Sequence, residues 1–141
     1  YYCKMCMVIN HNNYLAGYVL SKISAGFPSP ADDFIQSQIN LNDLLVEKPE
    51  STYLVRVTGN SMIDDHICDG DILVVDRSLS NTNNQIVVAI VDGEFLVKRL
   101  LHKNNKYFLA PSNKHYHSIE ITTEMNCIIW GVVTYVIHAT K

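Results

Sequence analysis

From Thr52 onward the apolar residues arrive in short runs: "TYLVRV", "DILVVD", "QIVVAIV", "EFLVKRLL", "KYFLA", "HSIEIT" and "CIIWGVVTYVIH". Each is dense in β-branched or aromatic residues and bounded by turn formers, the pattern of strands rather than helices. Asp92-Gly93 separates two of these runs by a two-residue step, the strongest local cue for a hairpin. Many short strands with little helical periodicity imply a mainly β chain, built as a small distorted β-sandwich or partly closed barrel. No internal repeat or low-complexity segment is visible.

The beginning of the chain differs. Residues 1–38 lack sustained periodicity and are expected to form an extended, mobile N-terminal tail, with residues 39–141 forming the β-rich domain. Pro28 and Pro30 in "GFPSPADD" push the residues before them toward extended backbone. "NLNDLLVEK" predicts a short helix capped by Asn40 or Asn42, with Leu41, Leu44 and Leu45 facing inward and Pro49 closing it.

Composition narrows the function classes. Of 141 residues, 48% are hydrophobic, enough for one domain with a real core. The formal charge is -3 and no Lys/Arg run is concentrated, which argues against direct sequence-specific DNA binding. The longest apolar run is too short to span a bilayer and contains Thr134 and His138. "YLAGYVL" is a poor signal-peptide core because its flanks are wrong, although Ala25 has the small side chain of a cleavage site. A soluble, cytoplasmic protein is expected. Cys3 and Cys6 form one C-x-x-C pair, and His11 offers a third donor without an obvious fourth. Reduced thiols, with no metal and no cofactor, are the expectation. The chain starts at Tyr1 rather than methionine, so trimming or a longer parent is also expected.

Two residues attract a chemical reading. Ser61 sits in "TGNSMIDDHICDGD", behind Gly59 and Asn60. On its own, such a serine is a turn or cap residue. A tight turn at Gly59 would nevertheless expose the hydroxyl and aim the Asn60 and Ser61 amides at one point, as an oxyanion hole requires. Lys98 lies in an apolar strand. Alternation puts it on one face with Glu94, Leu96 and Leu100, and Phe95, Val97 and Arg99 on the other. A desolvated lysine loses its proton readily and becomes a competent base, whereas a snorkelling lysine does not. No histidine competes clearly: His66 is too near Ser61 in sequence, and His102, His115, His117 and His138 have no neighbouring carboxylate that singles one out. The S-x-x-K spacing of penicillin-binding proteins is absent. Asp64-Asp65 and the aspartates around Gly70 read as turn residues.

Taken in order, "AGFPSPADDF", "TGNSMIDDHICDGD", "ILVVD" and "VDGEFLVKRL" resemble the LexA/UmuD family of self-cleaving serine-lysine proteins, from about Ser24 to the C-terminus. The resemblance implies Ser61 as nucleophile, Lys98 as its base, and the chain's own Ala25–Gly26 bond as substrate. It implies a homodimer whose self-cleavage follows contact with a RecA–single-stranded DNA filament. The shortened product would then assist a UmuC-type translesion polymerase. The residues fit: Ala25 needs only a small pocket, and Gly26 permits close backbone approach. The linker from Gly26 to Ser61 can span well over ~50 Å at about 3.3 Å per residue, so cleavage within a chain or across a dimer is reachable. The alternatives are a LexA-class repressor, for whose helix-turn-helix the 25 residues before the bond are too few, a signal peptidase, and a non-catalytic β-rich binding module.

Overall fold

Asp92 and Gly93 turn the chain as their sequence demands. Their φ angles are 49° and 86°, and two positive values are what a two-residue hairpin matched to strand twist requires. The computed structural model describes residues 15–18, 37–80 and 83–141. Cys3, Cys6, His11 and the Ala25–Gly26 bond lie outside the described residues.

The elements, in chain order, are β1 (Leu15–Tyr18), β2 (Ser37–Asn40), α1 (Leu41–Leu45), β3 (Thr52–Arg56), β4 (Ile72–Asp76), β5 (Ile86–Val91), β6 (Glu94–Lys103), β7 (Lys106–Ala110), β8 (Ile119–Ile121) and β9 (Cys127–Ile137). Every run singled out after Thr52 is a strand, and the chain is mainly β. Contacts divide it into a larger unit over Lys48–Lys141 and a smaller one within Asn10–Glu47.

In the smaller unit, β1 pairs antiparallel with β2, Leu15 opposite Asn40. That pair lies in a stretch with no strand periodicity, because distant backbone pairing leaves no local pattern to read. Asn40 caps α1, its side-chain oxygen accepting the Asn42 N–H at 2.9 Å. The inward packing expected of α1 is not found: Leu41 is 53% and Leu44 42% exposed. A five-residue helix is little more than one turn and buries none of its residues.

The larger unit is one antiparallel sheet in the order β3-β4-β9-β5-β6-β7-β8. It does not close, and β3 and β8 are its edges. The last strand is inserted in the interior of the sheet, between β4 and β5. Register shifts at Val74/Val75 and Val88/Ala89, both against β9, bend the sheet there.

The continuous apolar reading of β4 and β5 has a structural cause. Val88 belongs to a core cluster with Val55, Met62, Ile67 and Leu73. Its neighbours Val87 and Ala89 belong to another, with Leu100, Leu109 and Val132. Successive side chains point to opposite faces, so the central strands are buried on both.

Candidate active site

The segment from Thr58 to Asp69 is an excursion from the β3–β4 ladder, closed at its base. The Val57 N–H donates to the Asp71 carbonyl at 2.8 Å, and the Gly70 N–H to the Val57 carbonyl at 2.9 Å. Gly59 opens the excursion with φ of +89°, a left-handed value that glycine adopts without strain. Its N–H donates to Asp69 Oδ1 at 2.6 Å. Met62 and Ile67, 2% and 0% exposed, anchor the excursion in the core. A 3₁₀ turn over Ile63–Asp65 fills the space between them.

A second strap comes from the loop after β7. The Ser112 N–H donates to the Ser61 carbonyl at 2.8 Å, and the Asp64 N–H donates to the Ser112 carbonyl at 2.8 Å. The Asn113 Nδ2 group donates to the Asn60 carbonyl at 2.7 Å. The carbonyls of Asn60 and Ser61 are thus held, while among the described residues no hydrogen bond takes their amides. Those two N–H groups stay available for an incoming acceptor.

β6 supplies the other half of the site. Lys98 is 8% exposed, and its Nζ lies 2.6 Å from Ser61 Oγ. Burial alone pushes the lysine below its ordinary pKa, since desolvation disfavours the charged form. No carboxylate ion-pairs with it among the described residues; the ring of Tyr116 lies 5.9 Å from Nζ. An uncharged amine beside a hydroxyl can accept its proton, and a strapped turn keeps the hydroxyl in place.

The adjacent Arg99 fastens the same two elements. Its Nη2 lies 2.8 Å from Asp65 Oδ1 and its Nε donates to Asp65 Oδ2 at 3.2 Å. Its Nη1 donates to the Asn84 carbonyl at 2.6 Å. Asp65, read from sequence as a solvated turn residue, is therefore one end of a fork linking the serine turn to β6. Nothing in "IDDH" distinguishes it from Asp64, which is exposed. Ser112 and Asn113 were equally silent, being far from Ser61 in sequence. Asp69 is legible only as a turn former. His115 and His117 are exposed and lie on the loop between β7 and β8.

Val55–Gly59 and Glu94–Lys98 wall a cleft of about 540 Å³, completed by Ser61, Met62 and Val88. β3 is a sheet edge, and β7 joins β6 only from Arg99 onward. Along Glu94–Lys98, β6 thus pairs with β5 on one side, and among the described residues no strand pairs with its other edge. An extended peptide could lie there by strand addition.

Residues 18–134 match the Peptidase S24-like family. The chain belongs to that family. It is by membership a serine peptidase, in a family whose members cut themselves. It is 46% identical over 119 residues to protein MucA of Salmonella typhimurium, covering 84% of this chain and 81% of that one. Protein ImpA of Shigella flexneri is 38% identical over 130 residues, 92% of this chain and 88% of ImpA. LexA repressor 2 of Pseudomonas syringae is 38% identical over 115 residues, 81% of this chain and 56% of the repressor. The Peptidase S24-like chain has, among its described residues, no helix long and apolar enough to cross a membrane.

Proposed function

We propose that this chain is a UmuD-like protein of the DNA-damage response that cuts its own Ala25–Gly26 bond, with Ser61 as nucleophile and Lys98 as general base. The observation that carries the reading is the 2.6 Å contact between Ser61 and a buried lysine that has no ionic partner among the described residues. The edge of β6 beside that contact, unpaired among the described residues, supports a peptide substrate.

Neutral Lys98 takes the hydroxyl proton as Ser61 Oγ attacks the carbonyl carbon of Ala25. The Asn60 and Ser61 amides receive the oxyanion. Collapse breaks the bond to Gly26, and the Lys98 ammonium protonates the departing amine. Water, deprotonated by Lys98 in turn, then frees the acyl group from Ser61.

The cellular setting follows from the same reading. The protein acts in the cytoplasm as a homodimer. A RecA–single-stranded DNA filament favours the state in which the bond occupies the cleft, raising the rate without adding a catalytic group. The 116-residue product then serves a UmuC-type translesion polymerase. Purified chain incubated with RecA, single-stranded DNA and a nucleoside triphosphate tests this on a gel. Conversion is expected to accelerate at least ten-fold over the chain alone; an unchanged rate with active filament present contradicts it.

A further inference from the structure

A second cluster of reactive side chains lies outside the cleft, and the peptidase chemistry does not use it. Cys68 and Asp71 stand three residues apart across a tight turn. The Asp71 N–H donates to the Cys68 carbonyl at 3.1 Å, the Cys68 N–H donates to Asp71 Oδ2 at 2.8 Å, and Gly70 between them takes φ of +87°. His138, just past β9, brings its Nδ1 to 2.6 Å from Asp71 Oδ1. One donor atom from each of Cys68, Asp71 and His138 lies within 4.8 Å of the other two.

We propose that Cys68, Asp71 and His138 form a three-ligand site for a zinc-class cation with one position open to solvent. Tetrahedral zinc, with bonds of 2.0–2.3 Å, sets its donor atoms about 3.3–3.8 Å apart. The three donor atoms, all within 4.8 Å of one another, already lie close to that spacing. Sulfur, nitrogen and oxygen together suit a borderline metal, whereas magnesium and calcium take oxygen sets. A thiolate, a carboxylate and a neutral imidazole balance a divalent charge. Asp71 is 3% exposed, and its second oxygen is held by the Cys68 amide, the kind of outer contact that orients a ligand. The His138 side chain is 53% exposed, so water reaches the fourth position. A bound cation would tie the end of β9 to the start of β4. The inference does not depend on the roles of Ser61 and Lys98.

Cobalt titration of the full chain tests it, in a Cys3→Ser, Cys6→Ser background that removes the other thiol pair. Stoichiometric Co²⁺ is expected to produce a thiolate-to-cobalt charge-transfer band that Zn²⁺ abolishes. Cys68→Ser should remove the band, and His138→Gln should weaken affinity at least ten-fold. Zn²⁺ should raise the melting temperature of the parent but not of His138→Gln. Both substitutions sit at exposed or half-buried positions, which avoids the folding risk of altering Asp71. Absence of binding, a complex without the thiolate band, a band that persists in Cys68→Ser, or an affinity unchanged in His138→Gln overturns the proposal.

Discussion

Lys98 Nζ lies 2.6 Å from Ser61 Oγ although the residues are 37 positions apart. The contact exists because the Thr58–Asp69 excursion is closed at its base, strapped by Ser112 and Asn113, and met by a lysine from the interior of the sheet. Burial keeps that lysine short of its ordinary proton affinity. Position alone thus lowers the proton affinity of the amine that faces the hydroxyl.

Self-cleavage should therefore speed up with pH and level off above the folded pKa of Lys98, which burial sets below the ordinary lysine value. Lys98→Ala should abolish it. Lys98→Arg should abolish it too, because guanidinium does not deprotonate. Rates measured by gel from pH 6 to pH 10 check this; a flat profile contradicts a titrating lysine.

The Asp65–Arg99 fork is expected to position the dyad rather than hold up the fold. The pair is partly exposed, so breaking it should cost less than about 1 kcal/mol of stability. Asp65→Asn should slow cleavage roughly ten-fold or more, since small misplacements of reacting groups are costly. Its pH midpoint should stay where the parent's lies. Cleavage and melting measured on one preparation decide the point: a rate loss explained wholly by unfolding would make the fork structural only.

Asp76 should contribute stability that acid removes. Burial pushes its pKa up, but bonds from the Ser78 amide and hydroxyl and the Ser51 hydroxyl, with Lys48 nearby, outweigh it and hold the carboxyl below its ordinary value. A depressed folded pKa stabilises above the unfolded pKa and is lost as pH falls through the folded one. Asp76→Asn should cost about 1–3 kcal/mol at pH 7. The gap from wild type should shrink only below about pH 4. Denaturant midpoints at both ends of that range test it, and a constant gap contradicts it.

How far the sequence could be read depended on whether a feature was local. The β-strands after Thr52 and the Asp92-Gly93 turn were legible because alternation and turn chemistry are written in neighbouring residues. The turn at Asn104-Asn105, with φ of 50° and 61°, was not read, because asparagine tolerates that region without demanding it. The interior place of β9 has no local trace, since strand order is set by long-range pairing. Ser61 and Lys98 stood out through the family motifs more than through their own surroundings. Asp65, Ser112 and Asn113 needed coordinates, because each acts on a partner distant in sequence. His138 likewise finds its carboxylate, Asp71, only in three dimensions.

β9 leaves Tyr135 46% and Ile137 40% exposed on one strand, with Ile128 at 54%. Apolar exposure of this kind marks association surfaces, and two-fold pairing is the commonest outcome. The chain is expected to sediment as a dimer at micromolar concentration, and Tyr135→Asp with Ile137→Asp should weaken the dimer at least ten-fold. A wild-type monomer under those conditions contradicts this.

The most direct test is the mass of the products. Purified wild-type chain, incubated at mildly alkaline pH, should convert to a 25-residue and a 116-residue piece, with the break after Ala25. The Ser61→Ala protein, prepared identically, should stay whole. A break at any other bond, or the same break in Ser61→Ala free of contaminating protease, would contradict self-cleavage by Ser61 and Lys98.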